Sequence, residues 1–437
     1  MNSMKSETTS VRHMVAMPYP GRSHINSMMN LCKLLVSRTD DKLILITFVV
    51  TEEWLLFIGS EPKPDNIRFA SISNIIPSEL GRAADINGLF EAVLTKMEAP
   101  FEQLLDRIEP PVTLIMSDSI LFWAVGVGNR RNIPVASFWP MSATMFSIFQ
   151  HWDLLVQNGQ YLVDLLEKGN EHVDYITGVS STRIMDFPLL INGSDPHVLR
   201  RFCDFISWVS KEQYLLFIYE LEPRTIDAFK SKIFFPRLHY WPSHTLLQAW
   251  RQSLFDFQSL PGAQMDEIAA GLSSSGVRFL WVARGETSRL EKACGEMGLL
   301  VPWCDQLRVL SHACVGGFWT HCGWNSVQEG IFAGVPLLNF PLGMDQITNS
   351  KLIVEDWKIG WRIKKEVVRV ENFLVSRDTI REDVVKFMDM ESSEGKQMRR
   401  RVKELQEKCQ HEITKDGSSE INIKSFIRDI SLQHSAH

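Results

Sequence analysis

Short, mainly apolar runs separated by stretches of helical spacing constrain this chain more than any other feature. In the first half such runs occupy residues 13–17, 43–50, 112–116, 135–138 and 214–219; in the second they occupy 277–283, 298–301, 313–318 and 335–340. A run that is apolar at every position suits a strand buried on both faces, as in a parallel sheet. Helical patterns lie between the runs, for example from Ser23 through Met28, Leu31 and Leu35, and again over 325–333. Strands alternating with helices read as β-α-β units and an α/β class. At 437 residues the chain is too long for one ordinary core. Two α/β halves joined by a linker near 236–242 are the simplest arrangement. Helices over 378–430, broken at Asp416-Gly417-Ser418-Ser419, complete the chain.

In open parallel sheets, ligands bind beyond the carboxyl ends of the strands. Two such ends carry chemistry. After the first run, the turn Pro18-Tyr19-Pro20-Gly21 delivers His24 to a helix start. Imidazole is the side chain best suited to take up a proton near neutral pH. Asp118 follows the run 112–116, where a carboxylate can fix an imidazole's tautomer and stabilise the imidazolium that forms. Each also has a purely structural reading. His24 could hydrogen-bond its own loop, and Asp118 could cap a helix starting near Ile120.

The second end is richer. Trp319-Thr320-His321-Cys322-Gly323-Trp324-Asn325-Ser326 runs from a strand into a helix. Free backbone N–H groups and the helix dipole favour a phosphate there, and His321, Asn325 and Ser326 can add donors. Glu329, one turn on, is placed to pair with ribose hydroxyls. Trp303, after the run 298–301, offers a flat face for a base, against the alternative of core packing.

Composition removes other classes. The formal charge of −6 with interspersed signs gives no basic stripe for nucleic acid. The basic stretch 398–403 reads as a solvated helix face. Residues 1–10 are polar, unlike a secretory signal, and 43–50 is too short to span a bilayer. Seven scattered cysteines without metal-ligand spacing read as reduced thiols. The expectation is a cytoplasmic protein with no membrane insertion. No Asp-x-Asp pair stands near the phosphate segment, so no metal is expected. No Gly-x-Gly-x-x-Gly follows an early strand, which argues against a nicotinamide enzyme.

Taken together, Trp303-Cys304-Asp305-Gln306, His312, Gly317 through Ser326, Glu329, Gly334-Val335-Pro336, Pro341 and Asp345-Gln346 closely resemble the plant secondary-product signature of the UDP-sugar-dependent glycosyltransferases, glycosyltransferase family 1. The His24 segment resembles that family's catalytic-histidine loop, Asp118 matches its partner aspartate, and Gly417-Ser418-Ser419 also fits. The likeness covers most of the chain. It implies a GT-B architecture, two Rossmann-like domains facing across a cleft. An acceptor domain would span 1–240, a linker and altered segment 241–262, a donor domain 263–415, and a returning C-terminal helix 416–437. By resemblance, Trp303 would stack on uracil, and Gln306 and Glu329 would hold the ribose. His321, Asn325 and Ser326 would bind the diphosphate. Trp324, Asp345 and Gln346 would face the sugar. Glutamine at the last position implies UDP-glucose as donor substrate, with a small hydrophobic acceptor and no cofactor. His24, oriented by Asp118, would deprotonate the acceptor hydroxyl, and UDP would leave with inversion. The phosphate charge would be met by the helix end and His321. Aromatic residues between Phe122 and Trp152, with loops over 155–195, are expected to shape the acceptor pocket.

The chain departs from the family pattern in places. Ser23 stands where glycine is usual, and Ser27 where proline is usual. The family sets a linker, a helix and a strand ending in a Gly-Ser loop before the helix that begins here near Ala263. Only 243–262 fill that interval, which implies a deletion or altered segment. Residues 254–257 are candidates for a short replacement strand. The alternative function is therefore a catalytically impaired homologue.

Overall fold

The computed structural model describes residues 12–39, 44–79, 86–161, 163–188, 214–217, 221–232, 237–240, 260–283, 287–363, 374–412 and 418–432. The first half builds a seven-stranded sheet from β1 (Arg12–Met17), β2 (Ile44–Thr51), β3 (Ile67–Ile72), β4 (Leu114–Asp118), β5 (Val135–Phe138), β8 (Tyr214–Phe217) and β9 (Arg237–Tyr240). Its order is β3-β2-β1-β4-β5-β8-β9, with every pairing parallel. A small antiparallel pair, β6 (His172–Val173) and β7 (Thr182–Arg183), stands apart. The sequence order reverses between β1 and β4, and the register pairs Met17 with Ser117. The carboxyl ends of those strands therefore open on one crevice.

The two faces of this sheet explain the mainly apolar runs. Val15, Met17 and Ile115 join the core beneath α2 (Trp123–Arg131) and α3 (Ala143–Gln150). Met14, Ala16, Leu114 and Met116 point the other way, into a core shared with Ile25, Met28, Leu31 and Leu35 of α1 (Arg22–Ser37). Period-two alternation still holds, but both sets are apolar because both faces are covered. The expected linker at 236–242 is corrected, since β9 is the edge strand of this sheet.

The second half contributes β10 (Phe279–Val282) paired in parallel with β11 (Gly298–Val301). A separate parallel set follows: β12 (Phe318–Thr320), β13 (Leu337–Asn339) and β14 (Gly360–Arg362). Among the described residues no strand pairing joins these two pieces. The expected replacement strand at 254–257 lies outside the described residues, as does Gly417. The helices of this half used below are α4 (Gly262–Ser274), α5 (Gln306–Leu310), α6 (Trp324–Ala333), α7 (Gln346–Lys351) and α8 (Arg377–Met388). The strand expected over 313–318 is displaced, and pairing begins only at Phe318. Gly317 passes so close to α8 that a Cβ there would come within 2.3 Å of the Phe387 ring. Close approach, rather than sheet pairing, sets that glycine's position.

The last helix, α9 (Ser418–Leu432), lies against β9. Its Ile423 and Phe426 are buried in the same core as Met14, and Arg38 Nε donates to Glu420 Oε2 at 3.0 Å. The last described helix thus packs against the first half.

Candidate active site

His24 lies in the first turn of α1, and Asp118 is the last residue of β4. The crevice brings them together, with His24 Nδ1 2.6 Å from Asp118 Oδ2. The carboxylate is fully buried, while the imidazole keeps 17% exposure. Asp118 Oδ1 accepts from the Ile120 N–H at 3.0 Å. One oxygen thus holds the histidine and the other caps a turn. No helix starts at Ile120; α2 begins at Trp123. With Nδ1 donating to a carboxylate, the ring's lone pair sits on Nε2, the tautomer a base needs. Beside the ring stands Tyr19, centroids 5.1 Å apart, and beyond it the half-buried Phe90.

The donor-side turn starts with Cys322 at φ 68°, a left-handed conformation that is uncommon for a side-chain-bearing residue. Gly323 follows and α6 begins at Trp324. No side chain caps that end, and no acidic residue lies in its first turn. The first N–H groups of α6 have no carbonyl one turn back and aim their partial positive charge outward. A Cβ on Gly323 would sit 2.3 Å from His321 Nε2, so only glycine lets the imidazole lie against this turn. Burial pushes His321 down to about 3, so the ring is neutral at physiological pH. It can offer a dipole and one N–H, but no full positive charge.

Three of the expected donor residues make contacts within the protein. Asn325 Nδ2 donates to the Ser23 carbonyl at 3.2 Å, and its Oδ1 accepts from Ser27 Oγ at 3.1 Å. Its amide thus bridges α6 to α1, and both partners are residues that depart from the family pattern. The Trp324 ring is 5% exposed and packs in the core with Trp357, centroids 6.2 Å apart. What Trp324 presents at the helix start is its backbone. Gln306, at the start of α5, is buried, and its Nε2 lies 3.3 Å from Ser326 Oγ and 2.5 Å from Glu329 Oε2. Its amide thus joins Ser326 and Glu329.

That geometry leaves Glu329 with one oxygen held and one outside that bond. Burial raises it to about 7, against the hydrogen bond from Gln306. Asp345 repeats the arrangement. Its Oδ2 accepts from Asn349 Nδ2 at 2.8 Å, and burial raises it to about 6, against the Asn349 bond and the nearby His24. Gln346 turns its Oε1 to the N–H groups of Leu342 and Gly343, at 2.8 and 3.1 Å. An amide with its oxygen so fixed has only N–H groups left to offer. Trp303 is 39% exposed, unlike the buried Trp324.

The aromatic stretch between Phe122 and Trp152 is corrected as well. Trp123, Phe138, Trp139, Phe146, Phe149 and Trp152 are all buried in the core, because a sheet covered on both faces needs them there. Two buried polar residues escaped the sequence reading. Glu222 accepts from the N–H groups of Ala143 and Thr144, at 2.6 and 2.8 Å, and caps α3 from outside; burial raises it to about 7. Nothing in the chain's order signals that contact. Asn349 had a signal, its position one turn after Asp345, where helical side chains meet.

Comparison with known proteins decides the family. A profile described as UDP-glucoronosyl and UDP-glucosyl transferase matches residues 257–383. The Arabidopsis thaliana protein named UDP-glycosyltransferase 87A2 is 47% identical over 461 residues, covering 99% of each chain. The chain belongs to the UDP-glycosyltransferases. That alignment is longer than the 437 residues present here, so some of its positions have no counterpart in this UDP-glycosyltransferase. A 7-deoxyloganetin glucosyltransferase of Catharanthus roseus is 29% identical, with 98% of each chain covered. Among solved structures, Medicago truncatula UGT71G1 complexed with UDP-glucose superposes with a TM-score of 0.80 at 21% identity, covering 98% of this chain and 100% of that one. Phytolacca americana UGT2 complexed with UDP-2fluoro-glucose and pterostilbene gives 0.78 at 22% identity, covering 96% and 100%. The fold of this UDP-glycosyltransferase is GT-B. Among its described residues no helix is long and apolar enough to cross a membrane.

Proposed function

We propose that this UDP-glycosyltransferase moves glucose from UDP-glucose to a hydroxyl of a small hydrophobic acceptor, with inversion and with His24 as base. The observation that carries the reading is the His24–Asp118 pair held against the uncapped start of α6 by the Ser23–Asn325–Ser27 contacts. A base and a phosphate-directed helix end from opposite halves then share one cleft. Residues 1–240 would carry the acceptor and 263–415 the donor.

In the proposed reaction, Nε2 of His24 takes the acceptor proton while Asp118 stabilises the imidazolium. The acceptor oxygen forms its bond to the anomeric carbon as the bond to the β-phosphate oxygen breaks. UDP leaves toward the N–H groups of α6, a preorganised set of dipoles that needs no metal. His321 adds a neutral dipole. Trp303 covers the uracil, Glu329 accepts from the ribose, and Asp345 with Gln346 meets the sugar hydroxyls. The names of the relatives support a UDP-sugar donor, and the UDP-glucose complexed with Medicago truncatula UGT71G1 supports glucose. Identity of 47% to a near full-length relative, with the base pair intact, favours an active enzyme over an impaired homologue. Of the interval 243–262 that separates those readings, residues up to 259 lie outside the described residues.

The test is UDP release by purified protein given UDP-glucose, then UDP-galactose and UDP-glucuronate, with a panel of phenols, alcohols and carboxylic acids. Transfer preferring UDP-glucose and lost in His24→Ala, with UDP affinity kept, is expected. Binding of UDP without transfer to any acceptor would favour the impaired homologue, and no UDP binding would overturn the donor site.

A further inference from the structure

Asn349 lies in α7, fully buried, and touches both loops of the donor side. Its Nδ2 donates to the Cys322 carbonyl at 3.0 Å and to Asp345 Oδ2 at 2.8 Å. Both partners only accept, so the amide orientation is settled; turned over, it would set oxygen against two oxygens. In the orientation observed, Oδ1 is buried without a hydrogen-bond partner among the described residues. Leaving a buried carbonyl unpaired is unfavourable. A solvating or purely space-filling role gives no reason to bear that cost. Holding two acceptors at once does.

The two acceptors belong to different loops with different tasks. Cys322 is the left-handed residue that turns the chain from β12 into α6, a conformation unfavourable for a residue with a side chain unless it is supported. Asp345 follows β13, opposite His24. We propose that Asn349 is a positioning residue of the donor site, whose single amide locks the phosphate-facing turn at Cys322 and the sugar-facing carboxylate of Asp345 into one rigid unit. The inference rests on the donor-site reading above and adds a residue to it. Without the amide, the turn and the carboxylate would move independently, and one oxygen of Asp345 would lose the donor that favours its ionised form.

The titratable groups that face Asp345 are His24 from α1 and the thiol of Cys322, which burial pushes up to about 12 and leaves protonated. Asn349→Leu removes both donated bonds at similar volume. Losing a hydrogen bond to its charged form shifts a carboxylate by about one to two pH units. Binding of UDP and of UDP-glucose is measured against pH, without acceptor, for wild type, Asn349→Leu, Asp345→Asn and the double variant. The expected result for Asn349→Leu is a fall in UDP affinity, from the loosened turn. It is joined by an upward shift of about one pH unit in the limb that appears with UDP-glucose but not with UDP. That shift should be missing when Asp345→Asn is the background. An unmoved limb with only a lowered melting temperature would overturn the proposal, because a space-filling residue would do no more. If Asn349→Leu does not fold, Asn349→Ser is read by the same two outcomes. Failure of wild type to bind either ligand would instead strike the donor-site reading itself.

Discussion

Asp118→Asn probes the base with little disturbance elsewhere. The substitution keeps the shape of the side chain, and its carbonyl can still accept from the Ile120 N–H at 3.0 Å. What changes is the contact at 2.6 Å to His24 Nδ1. As a carboxylate, Asp118 stabilises the imidazolium formed during proton transfer through a charge-assisted bond of about 1.5–3 kcal/mol. Losing that alone slows the step by about 10- to 150-fold. A second effect adds to it. The new amide N–H₂ faces Nδ1 and draws the lone pair there, which moves the ring proton to Nε2 and leaves no base toward the acceptor. In comparable triads that change lowers kcat by about 10⁴. Asp118 is fully buried and caps a turn of the first half, so UDP affinity should stay within about twofold. The assay is the initial rate of UDP release with saturating UDP-glucose and a phenolic acceptor, with calorimetry of UDP binding beside it. A rate within tenfold of wild type would refute the assignment of His24 as base. So would a loss of UDP affinity with the fold intact, since Asp118 would then be shaping the donor side.

Five further outcomes are expected. UDP affinity should rise as pH climbs through about 7, where Glu329 ionises and can accept from both ribose hydroxyls, and Glu329→Gln should flatten that rise in calorimetry. The sign reverses for stability: the value for folded Glu329 lies above its ordinary 4.5, so its contribution is present below that pH and lost as pH rises through about 7. Wild type should therefore lose melting temperature relative to Glu329→Gln over that range. Gly323→Ala drives a Cβ to 2.3 Å from His321 Nε2, so UDP binding should fall by more than tenfold, and retained affinity would remove this turn from the site. Trp303→Ala should weaken UDP by about 5- to 150-fold if the indole stacks on the base, at about 1–3 kcal/mol. Ser27→Ala removes the donor to Asn325 Oδ1, about 1 kcal/mol, and should lower kcat/KM about fivefold; an unchanged value would make the bridge between α1 and α6 incidental.

Much of the fold was legible because parallel strands carry their signal in consecutive residues. Strands β5 and β11 fall at 135–138 and 298–301, as the apolar runs place them, and α1 and α6 start within one residue of their expected positions. The misreadings share a cause. Apolar character marks burial without naming the burying partner. The run 313–318 is partly loop because Gly317 passes beneath Phe387 of α8. The aromatics from Trp123 to Trp152 are core because helices cover that face of the sheet. Trp303 and Trp324 are the same residue type in the same motif, yet one is exposed and the other buried.

By itself, the sequence determined which residues could do chemistry and on which strand ends they would stand, since a motif at fixed spacing fixes local backbone geometry. It determined the family and the α/β class on the same ground. Only the tertiary structure decided what each polar group faces. The register of β1 beside β4 brings His24 onto Asp118, residues far apart in the chain. Packing of α6 against α1 turns the Asn325 amide toward Ser23 and Ser27, and the seating of Asn349 joins two loops through one nitrogen. Hydrogen bonds and desolvation act over a few ångströms in space, and separation along the chain does not enter them.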